Sequence, residues 1–169
     1  CKGCGVCIAE CPVGAMSQKV GFGVSREELS ARIASSLKSM NGIPKVIVFL
    51  CNWSINPGLQ LSRMELTGAG NTSGIIMSVC AGRIDPGLIL DTFYQGAWGV
   101  MIACCPLDEC EHDGNYRAKE RCALVGRLLD VLGVEPKRLK LEYFGTGETQ
   151  KLKNAVNSFA SEIASLGPI

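Results

Sequence analysis

The chain has 169 residues, 47% of them hydrophobic, and 17 lysines and arginines against 16 aspartates and glutamates, for a net charge of +1. That length suits one principal domain with an appendage, and a near-neutral balance with no long run of one sign excludes a basic nucleic-acid or anionic-membrane surface. No apolar run approaches the roughly 18 residues that span a bilayer and no signal-peptide pattern opens the chain, so a soluble, cytoplasmic protein is expected. Ten cysteines in such a chain argue for metal or redox chemistry over a secreted disulfide framework.

The first element, CKGCGVCIAECP, spaces Cys1, Cys4, Cys7 and Cys11 as C-x2-C-x2-C-x3-C-P, the pattern of bacterial ferredoxins. Three thiolates at three-residue spacing curl around one corner of a 4Fe-4S cube; Gly3 and Gly5 permit the tight backbone, and Pro12 turns the chain away. In two-cluster ferredoxins the fourth cysteine ligates the other cluster. Cys1, Cys4 and Cys7 therefore call for a fourth thiolate, and Cys11 for three, from outside this chain. Residues 1–20 read as the truncated C-terminal half of a two-cluster 4Fe-4S domain, and a chain opening on Cys1 is expected to be part of a longer polypeptide. Zinc at the same four positions is the competing reading.

Residues 21–44 read as a linker with one amphipathic helix. Ser25 and Glu28 form a capping-box pattern, Leu29, Ile33, Leu37 and Met40 repeat at helical spacing, and Gly42 and Pro44 end it. From Lys45 onward short aliphatic runs alternate with helical stretches. The runs KVIVFLC, SGIIMSVC, GVMIACC and LKLEYF predict four strands, with room for a helix between each pair. Continuous apolar strands alternating with helices imply an α/β fold, a flavodoxin-like or Rossmann-like parallel sheet covered on both faces. Asp85-Pro86 caps the second connecting helix. The third carries Cys122, Val125, Leu129 and Leu132 on one stripe, and the last carries Leu152, Val156, Phe159, Ile163 and Leu166; Gly133 and Gly167 stop them.

Against these elements the remaining cysteines fall into a pattern. Cys51, Cys80 and the pair Cys104, Cys105 each sit at the carboxyl end of a predicted strand, the edge at which open parallel sheets bind ligands. Cys110, five residues beyond Cys105, returns to the same edge. Four thiolates on loops suit a 2Fe-2S cluster and equally suit zinc. Adjacent residues of a strand point to opposite faces, so one of Cys104 and Cys105 is the expected ligand, and Cys105, which begins the CPLDEC loop, is preferred. Cys122 belongs to a helix stripe and to the core.

His112, the only histidine, is expected to hydrogen-bond near the site or to lie at the surface; iron ligation of the Rieske kind is the alternative. Arg83, Arg117 and Arg121 are candidates to balance a cluster's negative charge, against the reading of solvated surface charges. Trp53 and Trp98 read as packing or interface residues. The GFG and GTG glycines lack the strand-turn-helix context of a phosphate loop and receive no such role.

The stretches FLCNW, CAGRIDPGLILDTFYQGAWGVMI, CPLDEC and GNYRAKERCALVGRLLDVLGVEPKRLKLEY, with the tail from GET to SLGP, resemble the delta subunit of the methyl-viologen-reducing (deazaflavin-non-reducing) hydrogenase. That family is often fused behind the ferredoxin region of the flavin-bearing polypeptide of heterodisulfide reductase, whose end the first segment resembles. The resemblance implies that residues 45–169 form a 2Fe-2S domain with Cys51, Cys80, Cys105 and Cys110 as ligands. It implies an electron relay from a hydrogenase or formate dehydrogenase to an FAD-containing upstream portion and other heterodisulfide reductase subunits. Two positions depart from the family: Ser54 stands where a second cysteine is usual, and Cys104 where glycine is, so Cys104 is a spare or a substitute ligand. No catalytic residue is expected within this chain. A zinc-stabilised docking domain is the rival function, and a thiol redox enzyme using Cys104 and Cys105 a weaker one, since no CxxC of the thioredoxin kind supports it.

Overall fold

The structure is a computed structural model that describes residues 1–18, 24–54 and 73–169. Four parallel strands, β1 (Val46–Cys51), β2 (Ser73–Ser78), β3 (Gly99–Cys104) and β4 (Leu139–Tyr143), form one sheet in the order β2-β1-β3-β4. Every residue of β1 and β3 is buried, as their continuous apolar sequences require of central strands. The outer β2 alternates buried and half-buried residues. From β1 the chain steps outward to β2 and then returns across β1 to β3. The gap between the carboxyl ends of β1 and β3 is therefore the topological switch point, where α/β sheets open a crevice.

Among the described residues five helices accompany the sheet: α1 (Val6–Glu10), α2 (Arg26–Ser39), α3 (Pro86–Tyr94), α4 (Gly114–Val131) and α5 (Thr149–Leu166). One sheet face, bearing Ile47, Phe49, Val100 and Ile102, packs against Leu29 and Ile33 of α2, Leu88 and Ile89 of α3, and Val125 and Leu129 of α4. The other, bearing Val46, Val48, Leu50 and Met101, packs against Leu152, Val156, Phe159 and Ile163 of α5. Each such side chain removed from water contributes roughly 1.5–3 kcal/mol before conformational entropy is subtracted. The parallel, doubly covered α/β sheet expected from the sequence is present. The helix expected between β1 and β2 lies outside the described residues.

Local chemistry sets the helix starts. Ser25 Oγ accepts the Glu28 backbone N–H at 3.2 Å, while the Glu28 carboxylate pairs with Arg32 at 2.7 Å, so only half of the capping box forms. Asp85 Oδ1 accepts the Leu88 N–H at 2.9 Å, with Pro86 opening α3. The helix α2 lies close on β2 because Gly74 has no side chain; a Cβ there would meet Met40 Cε at 2.6 Å. Leu132 departs from the expected stripe and is 67% exposed. It caps α4, whose inward face ends at Leu129, and Gly133 at φ 76° turns the chain away. The last helix is finished by Arg138, 1% exposed, whose guanidinium donates to the carbonyls of Gly167 at 2.7 Å, Leu166 at 3.3 Å and Trp98 at 3.3 Å. Among the described residues no helix is long and apolar enough to cross a membrane.

Candidate metal centre

The carboxyl edge of the sheet gathers thiols. Cys51 is the last residue of β1, Cys80 lies two residues beyond β2, and Cys105 follows β3 directly. Strand register brings these ends level, with Cys51 beside Ser78 and Leu50 beside Ala103. The Cys51 and Cys105 sulfurs stand 3.9 Å apart across the switch point, and Cys80 is within hydrogen-bonding reach of Cys51. All three are buried. Hydrogen bonds from the Cys105 and Cys80 thiols hold Cys51 far below the ordinary thiol range, with burial opposing them. Cys80 and Cys105 are pushed up, first by donating to Cys51 and then by burial. Three buried thiols within hydrogen-bonding reach of one another are a proton-loaded donor set, which releases protons as a cation takes their place.

Neighbouring groups fix this arrangement. Ser78 Oγ donates to the Cys80 carbonyl at 2.8 Å, and Asn115, at the start of α4, donates from Nδ2 to the Pro106 carbonyl at 2.6 Å. The loop from Cys105 to Cys110 is held again by the Tyr116 hydroxyl on Asp108 at 3.2 Å. Gly114 matters for space: a Cβ there would fall on the Cys80 sulfur. Ser54 is buried and turns back, its hydroxyl donating to the Cys51 carbonyl at 3.1 Å. It closes the turn after β1.

Cys104 stands apart. It is fully buried, its sulfur donates to the Glu142 carbonyl of β4 at 3.7 Å, and burial is the main reason its thiol is pushed up. Cys122 packs against the core and is pushed up to about 12 by burial. Cys110 is half-buried in the loop before α4, near enough to Cys80 and Cys105 to act on both electrostatically. His112 meets Trp53 edge-on at 5.2 Å, and its buried Nε2 has no partner among the described residues.

The N-terminal cysteines lie on a segment that docks against this edge. Cys1 and Cys7 are exposed, Cys4 and Cys11 half-buried. Backbone N–H groups, led by that of Val13 and then Met16, lower the Cys11 thiol, and Ala15 N–H reaches its sulfur at 3.2 Å. Cys11 also lines a cavity of about 640 Å³ between α1 and the starts of α2 and α3.

The three arginines that are candidates to balance a cluster's charge or to be surface charges each have protein partners. Arg117 pairs with Glu120 at the surface. Arg83 is buried, lies against Gly5 and donates to the Val24 carbonyl. Arg121 is buried too, and donates to the carbonyls of Gly82 and Ile84 and to Glu10. Sequence reading missed Asn115, Gly82 and Gly114. Their only advance signal is small or amide residues flanking cysteine loops, which becomes meaningful once the helix start is placed beside Cys80.

Among the described residues no group of three histidine, cysteine, aspartate or glutamate side chains stands in metal-holding geometry. The donors nevertheless fit an iron–sulfur or zinc group in kind, being soft thiols. One pair also fits in spacing: tetrahedral thiolates at about 2.3 Å from a metal lie roughly 3.8 Å from one another, close to the 3.9 Å between Cys51 and Cys105. The orphaned His112 Nε2, on the residue two beyond Cys110, agrees with a group seated here.

Fold and site together define a parallel α/β domain with three buried thiols at its switch point. Comparison with known proteins is narrower. Residues 46–167 match the family described as methyl-viologen-reducing hydrogenase, delta subunit, and the chain belongs to that family. The vhc iron-sulfur D subunit of the F420-non-reducing hydrogenase of Methanococcus voltae is 34% identical over 129 residues, covering 76% of this chain and 90% of that protein. The corresponding iron-sulfur D subunit of Archaeoglobus profundus is 31% identical over 126 residues, 74% of this chain and 92% of that protein. The A subunit of the ferredoxin/F420H2-dependent CoB-CoM heterodisulfide reductase of Methanosarcina acetivorans is 31% identical over 144 residues, 85% of this chain. The chain spans only 18% of that last protein's length.

Proposed function

We propose that the chain is an iron–sulfur electron-transfer module of a hydrogenase or heterodisulfide reductase complex. Cys51, Cys80, Cys105 and Cys110 would hold a 2Fe-2S cluster, and Cys1, Cys4, Cys7 and Cys11 would serve 4Fe-4S clusters completed by cysteines outside this sequence. Such groups, when bound, exchange single electrons. The chain's own residues supply the rest. Cys51 and Cys105 bring two sulfurs together across the switch point, Asn115 and Ser78 hold the two ligand loops, and the buried edge excludes water. The module would relay electrons between a hydrogenase or formate dehydrogenase and a heterodisulfide-reductase-type flavoprotein.

The observation that carries this reading is the 3.9 Å approach of Cys51 and Cys105 at the switch point of a sheet whose relatives are named iron-sulfur subunits. Support for the N-terminal part comes from the ferredoxin spacing and from Cys11, whose opening onto a large cavity leaves room for a cluster with ligands from elsewhere. The test is reconstitution of the 169-residue chain with iron and sulfide under anaerobic conditions, followed by mixing with a reduced hydrogenase. Reduction of the chain, read as bleaching of its visible absorption, is the expected result. A colourless protein carrying one zinc and accepting no electrons would overturn the proposal in favour of a docking domain.

A further inference from the structure

The N-terminal cysteine segment and the α/β site meet at one small place, the 3-10 turn Ala81–Arg83 directly after Cys80. On one side, Gly82 touches the start of α4; a Cβ on Gly82 would lie 2.6 Å from Gly114 Cα. On the other side, the same Cβ would lie 2.9 Å from Val6 Cγ2 of α1. The turn is thus pressed between the helix that follows Cys110 and the helix that carries Cys7. Arg121 reaches under it from α4, donating to the Gly82 and Ile84 carbonyls and to Glu10, the neighbour of Cys11. A second tie, between exposed Lys2 and Glu111, joins the neighbour of Cys1 to the neighbour of Cys110.

We propose that Arg121 is a positioning residue that locks the Cys80 turn to the N-terminal helix, so that seating of the N-terminal cysteine segment controls the accessibility and placement of the Cys80 ligand. The proposal rests on the reading of Cys80 as a ligand but concerns the seam, which exists without any metal. A buried guanidinium cannot leave its partners cheaply, whereas the exposed Lys2–Glu111 pair holds little. Arg121 with Glu10 is therefore the tie that decides whether the turn stays closed, and Lys2 with Glu111 adds register.

The test is pulsed alkylation of the cluster-free 169-residue chain with iodoacetamide, read residue by residue by mass spectrometry. Arg121→Met and Glu10→Gln are each expected to raise the Cys80 rate on the order of tenfold, as loss of a charge-assisted bond opens the turn. Arg121→Lys should recover part of the protection, and Lys2→Met should change it less than about twofold. Cys104, fully buried in β3, is the internal monitor: if its rate rises with that of Cys80, the variant has unfolded as a whole. An unchanged Cys80 rate in Glu10→Gln, a variant at a half-exposed carboxylate, would overturn the proposal even if Arg121→Met unfolds. On the loaded chain, Glu10→Gln should shift the reduced-state EPR spectrum. Cluster loading with no Cys80 response refutes the seam alone, whereas a Cys80 response without any cluster refutes only the electron-transfer reading.

Discussion

Substituting Gly82 by alanine isolates the contact on which the site's geometry depends. The glycine has an ordinary backbone conformation, since it is not among the positive-φ residues, so alanine brings no torsional strain. The cost is steric: the new Cβ would sit 2.6 Å from Gly114 Cα and 2.9 Å from Val6 Cγ2, whereas carbon atoms rest comfortably at about 3.5–4.0 Å. The first neighbour is backbone and cannot rotate aside, so the turn and α4 must separate by roughly an ångström. Overpacking of this kind costs about 1–3 kcal/mol, which for a chain of this size lowers the melting temperature by about 3–10 °C. Gly126→Ala provides the opposite case in the same helix, because nothing lies within 4 Å of its Cβ position. There alanine should stabilise by about 0.5–1 kcal/mol through helix propensity. Calorimetry or urea unfolding of both variants is the assay, with Cys80 alkylation beside it. Equal stability of the two variants, or a Gly82→Ala protein with wild-type Cys80 protection, would refute the close packing of the turn.

Other outcomes follow from the core and its caps. Phe159→Ala, which empties a fully buried position between α5 and the sheet, should cost about 3–5 kcal/mol in urea unfolding. Asp85→Ala should cost about 1 kcal/mol by removing the N-cap of α3. Arg138→Met should cost about 3 kcal/mol, since it strips a charged donor from carbonyls at the end of α5 and from that of Trp98. The hydrogen bond from Arg138 holds the exposed Glu135 carboxyl below its ordinary value. A depressed carboxylate stabilises above its unfolded pKa and loses that contribution as pH falls through the folded one. The stability gap between wild type and Arg138→Met should therefore narrow on acidification below about pH 4, and an equal gap at neutral and strongly acidic pH would contradict the pairing.

Much of this architecture is legible in the sequence because the signals are local and redundant. Val46–Cys51 and Gly99–Cys104 are unbroken apolar runs, which only central strands of a doubly covered sheet accommodate. The convergence of Cys51 and Cys105 follows from that reading, because both lie at carboxyl ends. Strand alternation leaves one of Cys104 and Cys105 as the expected ligand, and the CPLDEC loop selects Cys105; the structure puts Cys105 beside Cys51 and Cys104 against Glu142. The burial partner of α2 is not legible, since its periodic Leu29, Ile33 and Leu37 announce a buried face without saying that it joins the cluster of Ile47 and Phe49 while Ser36 and Met40 close over Gly74 of β2. Least legible are Arg121 and Glu10, which are 111 residues apart; their pairing exists only once the N-terminal segment has docked. An arginine read as a surface charge or a cluster counter-ion proves to be a buried tie.

The central claim, that the carboxyl edge of the sheet holds an iron–sulfur cluster, is tested most directly by anaerobic iron and acid-labile sulfide analysis with reduced-state EPR on the reconstituted chain. Cys105→Ala and Cys104→Ala are compared beside the wild type. The account predicts a 2Fe-2S signal that survives Cys104→Ala and is lost or grossly altered in Cys105→Ala. A signal indifferent to Cys105, or an iron-free, zinc-loaded edge, would contradict it.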